Sequence, residues 1–193
     1  MNKTWGEIRK EALHLGFDRE ANYVKYKDSF VKAFNWAQNH VASVTGCLTD
    51  VKEIVLDADS VVVDMGLTED FLFMANRGVE EKGVVGRMDA YSLTDNRYLR
   101  INGKKGRTYC IYYAKAPKAI TDSTADSYEC EIPYKWAKLI PYYMANRLYL
   151  EDDTQKAGYY WNLAEDMKND MLIKEREPEV TVFGGFDVDG WCI

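Results

Sequence analysis

Apolar residues recur every three to four positions near both ends of the chain, a spacing that predicts amphipathic helices. Thr4 begins the first predicted helix with Glu7 three residues on, as in a capping box, and Gly16 follows its end. A longer helix is predicted from about residue 19 to residue 43, with Asp18 as its cap. Its apolar stripe comprises Tyr23, Tyr26, Phe30, Phe34, Ala37 and Val41.

A second helical region is predicted after Pro133. Because proline is tolerated only in the first turn of a helix, we expect a short helical turn over residues 133–138 and a main helix that begins near Leu139, with Pro141 in its first turn. Asp153 or Thr154 then caps the last helix. The predicted stripes are Trp136, Ile140, Tyr143, Arg147 and Leu150 on the first of these helices, and Ala157, Tyr160, Trp161, Ala164, Met167 and Met171 on the second.

Between the helical regions the pattern changes to short β-branched and aromatic runs separated by Asp, Asn and Gly, which predicts strands. The runs are VKEIVLDADSVVVDM, FLFMAN, GVVGRMDAY, RYLRI and RTYCIYYAKA. Turns rather than helices connect these runs, so the predicted sheet is antiparallel. Asn102 and Gly103 in the loop NGKKG predict a β-hairpin between RYLRI and RTYCIYYA.

Together these elements predict an α+β fold, with a helical bundle made by the N- and C-terminal helices and an inserted antiparallel β-rich domain. The predicted divisions are residues 1–45 for the N-terminal helices, 46–132 for the inserted domain, 133–176 for the C-terminal helical hairpin and 177–193 for an extended C-terminal tail.

Composition places the chain among soluble globular proteins. Its 193 residues are 47% hydrophobic and 29% charged. The N-terminal segment is charged and amphipathic, and no apolar run approaches ~18 residues, so neither a signal peptide nor a membrane span is expected. The cysteines lie far apart without a CxxC pair, which predicts reduced thiols in a cytosolic protein. They are Cys47, Cys110, Cys130 and Cys192.

The net charge of −6 argues against a dedicated nucleic-acid binder, but the charges are unevenly distributed. Residues 96–121 contain seven bases and no acid, whereas residues 151–193 contain eleven acids and four bases. Two solvated faces would explain this pattern, and so would unlike patches that attract each other in neighbouring copies. The candidate contact residues in the basic segment are Arg97, Arg100, Lys104, Lys105 and Arg107.

Sequence signatures of common catalytic and metal sites are missing. His14 and His40 lie on predicted helices without a ligand-like neighbour at helical spacing. Asp57, Asp59 and Asp64 would suit a metal if folding brought them together, although a role in turns is favoured. No catalytic residue, metal ligand or cofactor is therefore predicted. An enzyme is not expected, and a small metal-dependent enzyme that uses these aspartates stays open as a minor alternative.

A ladder of packing residues runs from Tyr112 to Met167, with the pattern YYxxxPxxIT, then IP, then LIPYYMA..LYLEDD, then A.YY.N..E.M. Together with the helices TWGEIRKEALHLGF and YKDSFVKAFNWAQNHVAS, it resembles the head–tail connector (adaptor) proteins of tailed bacteriophages. The likeness covers roughly residues 4–173. It rests on packing residues rather than on catalytic signatures, and it does not extend to the Gly-rich tail.

This resemblance implies a structural protein that forms a ring, commonly of about twelve copies, beneath the portal protein of the virion. Such a ring extends the DNA channel and gives a platform for tail proteins, and it assembles in the host cytoplasm. We expect the portal and other neck or tail proteins as partners, DNA that passes without specific binding, and no membrane. The C-terminal segments of the family often dock onto the portal. The candidate docking residues here are Phe183, Phe186, Trp191 and Ile193.

Two further alternatives stay open. Another phage neck protein, such as a stopper or tail-completion protein, would share the location but not the direct portal contact. A non-enzymatic nucleic-acid-binding accessory protein would use the basic hairpin at residues 97–107, and salt-dependent DNA binding would favour it. The tail itself would alternatively fold back on its own body.

Overall fold

The structure is a computed structural model that describes residues 2–16, 20–84 and 91–176. The helices within these ranges are α1 (Trp5–His14), α2 (Glu20–Lys25), α3 (Lys27–Thr45), α4 (Tyr134–Ala137), α5 (Ile140–Tyr149) and α6 (Thr154–Arg176). The strands are β1 (Thr49–Val55), β2 (Ser60–Asp64), β3 (Phe71–Glu81), β4 (Tyr91–Thr94), β5 (Tyr98–Asn102) and β6 (Thr108–Lys115). The strands pair in antiparallel sheets, so the predicted α+β class is confirmed.

Helix α1 begins with the predicted capping box. The Thr4 side chain accepts a hydrogen bond from the Glu7 amide at 3.3 Å, and the Glu7 carboxylate accepts one from the Thr4 amide at 2.8 Å. These two bonds satisfy amides that the first turn of a helix leaves without partners. The helix is thereby fixed so that Trp5 and Ile8 are buried.

The single long helix predicted from residue 19 to residue 43 is wrong. The backbone departs from helical geometry at Tyr26, with φ −116°, so α2 and α3 are separate helices. Tyr23 on α2 and Phe30 on α3 are both buried, and their rings meet edge to face at 5.6 Å. Tyr26 itself is 46% exposed, contrary to its predicted place in the stripe. The predicted cap, Asp18, lies outside the described residues.

The C-terminal helices begin where the sequence predicts. Pro141 lies in the first turn of α5, and the short helix α4 precedes it. Asp153 caps α6, since its side chain accepts a hydrogen bond from the Lys156 amide at 3.0 Å. The end of the predicted α5 stripe is wrong, because Arg147 and Leu150 are exposed. They lie where α5 passes the start of α3 and leaves a groove.

One hydrophobic cluster, here called the helical core, joins residues of α1, α2, α3, α4, α5 and α6. The segment 116–133, which contains no helix or strand, also contributes Ile120 to this core. The side chain of Asn35 on α3 holds that segment in place. Its Nδ2 donates to the Ile120 carbonyl at 2.8 Å, and its Oδ1 accepts from the Ile120 backbone amide at 2.8 Å. Gln38 donates to the Lys118 carbonyl at 2.8 Å. Residues far apart in sequence are thus joined through polar side chains of α3.

The described strands form two three-stranded sheets, with orders β1-β6-β3 and β2-β5-β4. The predicted hairpin between β5 and β6 is therefore wrong, because β5 pairs only with β2 and β4 among the described strands. The reason is burial of both apolar stripes. Leu99 and Ile101 on β5 and Ile111 on β6 are fully buried in one cluster that both sheets share. Two sheets that cover each other exclude water from these faces without a further layer.

Candidate subunit interface

The loop after β5 lies at the far end of the β-sheets from the helices. β1 leaves the helical core at Thr49 and β6 returns to it at Lys115, and the two strands pair along their whole length. Their opposite ends, Val55 and Thr108, are thus separated from the helices by about 20 Å of strand. The turns of residues 56–59, 81–84 and 103–107 meet there, and we call this region the tip.

Hydrogen bonds fix the tip loop of residues 103–107. The amide of Gly103 donates to the Asp59 carbonyl at 2.8 Å, and that of Gly106 donates to the Leu56 carbonyl at 2.8 Å. The Lys104 amide donates to the Tyr109 hydroxyl at 2.9 Å, and the Lys105 amide to the Asp59 carboxylate at 2.9 Å. Because four successive amides are bonded, the two lysine side chains project from an ordered backbone.

Glycine is required at position 103 of this loop. A Cβ there would lie 2.5 Å from the Tyr109 hydroxyl oxygen and 2.7 Å from Leu56 Cδ1. Both neighbours are buried in the cluster that the two sheets share, so neither can move away easily. The loop therefore passes from one sheet to the other by lying directly against that cluster.

Two of the five basic residues singled out by the sequence are already paired within the chain. Arg97 donates two hydrogen bonds to the Asp64 carboxylate, both at 2.7 Å. The bond from Arg97 lowers the pKa of Asp64, and the carboxylate raises the pKa of the guanidinium in turn. Arg107 lies 3.7 Å from a carboxylate oxygen of Glu81. These two arginines mainly join one part of the β-sheets to another.

The other three bases are exposed and make no ion pair with any described residue. They are Arg100, on the outward face of β5, and Lys104 and Lys105, at the tip. The five candidates therefore divide into two arginines that pair with carboxylates of the same chain and three cations that make no ion pair with a described residue.

The acidic loop between α5 and α6 lies at the other end of the helical core. It follows Tyr149, whose carbonyl accepts hydrogen bonds from the amides of Asp152 and Asp153 at 3.1 and 2.8 Å. Asp153 is engaged as the cap of α6, but Glu151 and Asp152 are exposed and make no ion pair within the described residues. We call this loop the acidic end.

A groove of about 580 Å³ lies beside the acidic end, between the start of α3 and the end of α5. Tyr26 and Leu150, 46% and 45% exposed, give it an apolar lining, and Glu151 and Asp152 form part of its edge. Sequence reasoning missed this groove because the three- and four-residue spacing placed Tyr26 and Leu150 in the buried stripes. The acidic run EDD directly after Leu150 was the available signal that this helix end faces solvent.

His40 is surrounded by aromatic rings in the helical core. Its ring stacks on Trp36 at 5.2 Å and lies 4.7 Å from the ring of Tyr143 and 5.2 Å from that of Trp161. Burial lowers the pKa of His40, although Glu165 acts in the opposite direction. Its Nε2 is buried and makes no hydrogen bond with any described residue. The imidazole is thus held as a neutral packing group.

The Glu165 carboxylate next to this cluster accepts hydrogen bonds from the Tyr143 hydroxyl at 2.7 Å and from the Lys168 ammonium at 2.5 Å. Burial alone would raise the pKa of Glu165, but these bonds from Lys168 and Tyr143 lower it overall. Burial and the contact with Glu165 raise the pKa of Tyr143. These groups join α5 to α6, and the Tyr143 hydroxyl is engaged in that structural contact.

Two of the three aspartates that sequence reasoning considered for a metal have structural partners. Asp59 supports the tip loop, while Asp64 binds Arg97 and also accepts from the Gly66 amide at 2.9 Å. The predicted role in turns is thus confirmed for Asp59 and Asp64. His14 is exposed at the end of α1. In the described part of the chain, no three His, Cys, Asp or Glu side chains are grouped so that they could bind a metal.

The predicted docking tail and the expected absence of a membrane span are the remaining points. The candidate docking residues Phe183, Phe186, Trp191 and Ile193 lie outside the described residues. Among the helices that are described, none combines the length and apolar character that crossing a membrane requires.

No protein-family model and no curated protein matches the chain.

Proposed function

We propose that this protein is a structural head–tail connector subunit of a tailed bacteriophage, which forms a ring beneath the portal. The observation that carries the proposal is where the ladder of packing residues lies. Four residues of the ladder are buried in the helical core: Ile132 before α4, Ile140 and Tyr143 on α5, and Ala164 on α6. The residues behind the resemblance thus have the packing role that a connector fold would require of them.

In this proposal the helices and the segment 116–133 form the body of each subunit, and the strands from Thr49 to Lys115 form the insert that projects from it. The predicted division at residue 132 is wrong, because Ile120 and Ile132 are buried in the helical core. Two features support a division into this body and this insert. The β-sheets enclose a hydrophobic cluster of their own, which includes Leu99 and Ile111. They are joined to the helices through β1 and β6, whose far ends form the tip. A body and a projecting arm give each copy separate surfaces for its neighbours and for other neck proteins.

The ring would bind the portal on one side, offer a platform to other neck or tail proteins on the other, and extend the channel through which DNA passes. We expect this DNA to pass without specific binding, because strong phosphate contacts would resist its movement. Pairing of Arg97 with Asp64 and of Arg107 with Glu81 lowers the number of free cations, which supports this expectation. The protein would be found at the head–tail interface of the virion.

The tail of residues 177–193 is proposed as the portal-docking segment. Phe183, Phe186 and Trp191 supply aromatic side chains, which are common anchors at protein interfaces. Deletion of residues 178–193 should leave a folded chain that no longer binds the portal. A truncated chain that fails to fold would show instead that the tail belongs to the helical core.

The direct test is co-expression of the full chain with the portal protein of the same virus, followed by affinity purification on the portal and native mass spectrometry. The proposal predicts a complex that contains multiple copies of the chain per portal ring. Recovery of the portal without the chain, while both are folded and soluble, would contradict it.

A second candidate function is a nucleic-acid-binding accessory protein, favoured by the exposed side chains of Arg100, Lys104 and Lys105. It predicts that the isolated chain binds DNA with an affinity that falls steeply as salt rises. The connector proposal predicts no such binding. Electrophoretic mobility shifts at two salt concentrations separate the two.

A further inference from the structure

The tip and the acidic end carry opposite charges on ordered loops. Lys104 and Lys105 are adjacent at the tip, and Glu151 and Asp152 are adjacent at the acidic end. All four side chains are exposed, and none forms an ion pair with a described residue. Both loops are held by backbone hydrogen bonds, so little ordering would be needed for either loop to bind a partner.

Within one copy, the tip and the acidic end make no ion pair or hydrogen bond with each other among the described residues. The β-sheets begin at the end of α3 that follows Thr45, whereas the acidic end lies beside the start of α3 near Tyr26. A helix of 19 residues separates these points by about 28 Å. β1 then carries the chain roughly another 20 Å to the tip. Because each copy carries both surfaces, a contact between them joins unlike patches of two copies.

The tip also presents an apolar side chain that suits the groove. Val84, in the turn after β3, is 56% exposed. The groove offers Tyr26 and Leu150 to such a group. Two cations line the same groove, but both are engaged: Lys32 pairs with Asp28 at 2.6 Å, and the Arg147 guanidinium lies over the Trp36 ring at 4.9 Å. Glu151 and Asp152 place two acidic side chains at the edge of this groove.

We propose that the tip of one copy docks against the acidic end of the next copy, where Lys104 and Lys105 meet Glu151 and Asp152, with Val84 entering the groove. A contact between unlike patches repeats from copy to copy and closes into a ring when the rotation per copy divides a full turn. Because this contact would close the ring, it rests on the function proposed above.

Charge reversal on each side tests the contact. One variant carries K104E and K105E, and the other carries E151K and D152K. Each variant alone sets like charges against each other, so we expect association at least roughly tenfold weaker than in the wild type. An equimolar mixture pairs the reversed tip of one variant with the reversed acidic end of the other, and it likewise pairs the two unchanged surfaces. The mixture should therefore associate within about threefold of the wild type.

Sedimentation velocity of the full chain, at low salt and at rising protein concentration, measures this association. A control variant, K10E with K138E, changes the net charge by the same amount as K104E with K105E, at exposed positions on α1 and after α4, and it should associate like the wild type. Thermal melting of all variants should match the wild type, because the altered side chains are exposed.

Recovery of association in the mixture supports the proposed contact, since only pairing between unlike surfaces of two copies predicts it. The proposal is overturned by a wild type that stays monomeric up to its solubility limit, by variants that associate normally, or by a mixture that stays as weak as its components. Portal binding reports separately on the connector function. If the reversed variants still form complete rings on the portal, the contact is wrong while the connector function stands.

Discussion

Substitution of Asn35 by alanine tests whether polar side chains of α3 hold the connecting segment against the helical core. The change removes three hydrogen bonds: one to the carbonyl and one from the amide of Ile120, both of 2.8 Å, and a longer one of 3.2 Å from the Gln38 side chain. Ile120 is only 4% exposed, so water cannot readily replace the lost partners. The segment must then either leave two polar groups unsatisfied or move out of the core.

The magnitude follows from these contacts. A neutral hydrogen bond contributes about 0.5–1.5 kcal/mol, and a buried group left without a partner costs about 1–3 kcal/mol. Alanine is a better helix former than asparagine and returns roughly 0.5 kcal/mol. We therefore expect Asn35→Ala to lower the free energy of unfolding by about 2–3 kcal/mol. For a chain of this length, Tm should fall by roughly 4–10 °C.

Urea unfolding followed by circular dichroism measures this change, with thermal melting as a second reading. Asn39→Ala is the matched control, because Asn39 lies one turn further along α3 and is exposed. The control should change stability by less than about 0.5 kcal/mol. If both variants unfold at the wild-type urea concentration, the account of how residues 116–133 are held is refuted.

The other predictions concern His40 in the helical core and two glycines, Gly103 at the tip and Gly158 on α6. Burial lowers the pKa of His40 below its ordinary 6.5, so the unfolded chain takes up a proton that the folded chain refuses, and stability should fall as pH drops below about 6.5. Replacement of His40 by phenylalanine should weaken this pH dependence of the urea midpoint between about pH 7.5 and 5.5; an unchanged slope would contradict the placement of the imidazole. Gly103→Ala, which forces a Cβ against Tyr109 and Leu56, should destabilise by about 1–3 kcal/mol. Gly158→Ala on α6 should stabilise the fold by roughly 0.5–1 kcal/mol, because a Cβ added there would meet no atom of another part of the chain within 4 Å. Equal effects at both glycines would refute this reasoning.

Local signals in the sequence predicted the helix ends well. The capping box of Thr4 and Glu7, the place of Pro141 and the cap at Asp153 each depend on backbone groups within four residues. Interactions of that range are contained in a short window of sequence, so their geometry follows from the residue types.

The strand partners and the break at Tyr26 were not predictable in the same way. The loop NGKKG has the composition of a hairpin turn, but burial of Leu99 and Ile111 between two sheets outweighs the local preference. The helical stripe likewise continues through Tyr26, and only the backbone geometry at Tyr26 in the folded chain shows the break.

The candidate interface was predicted only in outline. The uneven charge distribution pointed to the segment that contains Lys104 and Lys105. The partners of Arg97 and Arg107 lie 33 and 26 residues away in sequence, so their neutralisation depends on the tertiary fold. The sequence alone therefore overestimated the number of cations without a partner in the same chain.

The central claim is that copies of this chain form a closed ring on a portal, and electron cryo-microscopy of the chain co-purified with the portal protein of the same virus tests it most directly. The account predicts a symmetric ring of this chain on one face of the portal, around a channel continuous with the portal channel. Portal particles without such a ring, or with the chain bound as separate copies at unrelated positions, would contradict it.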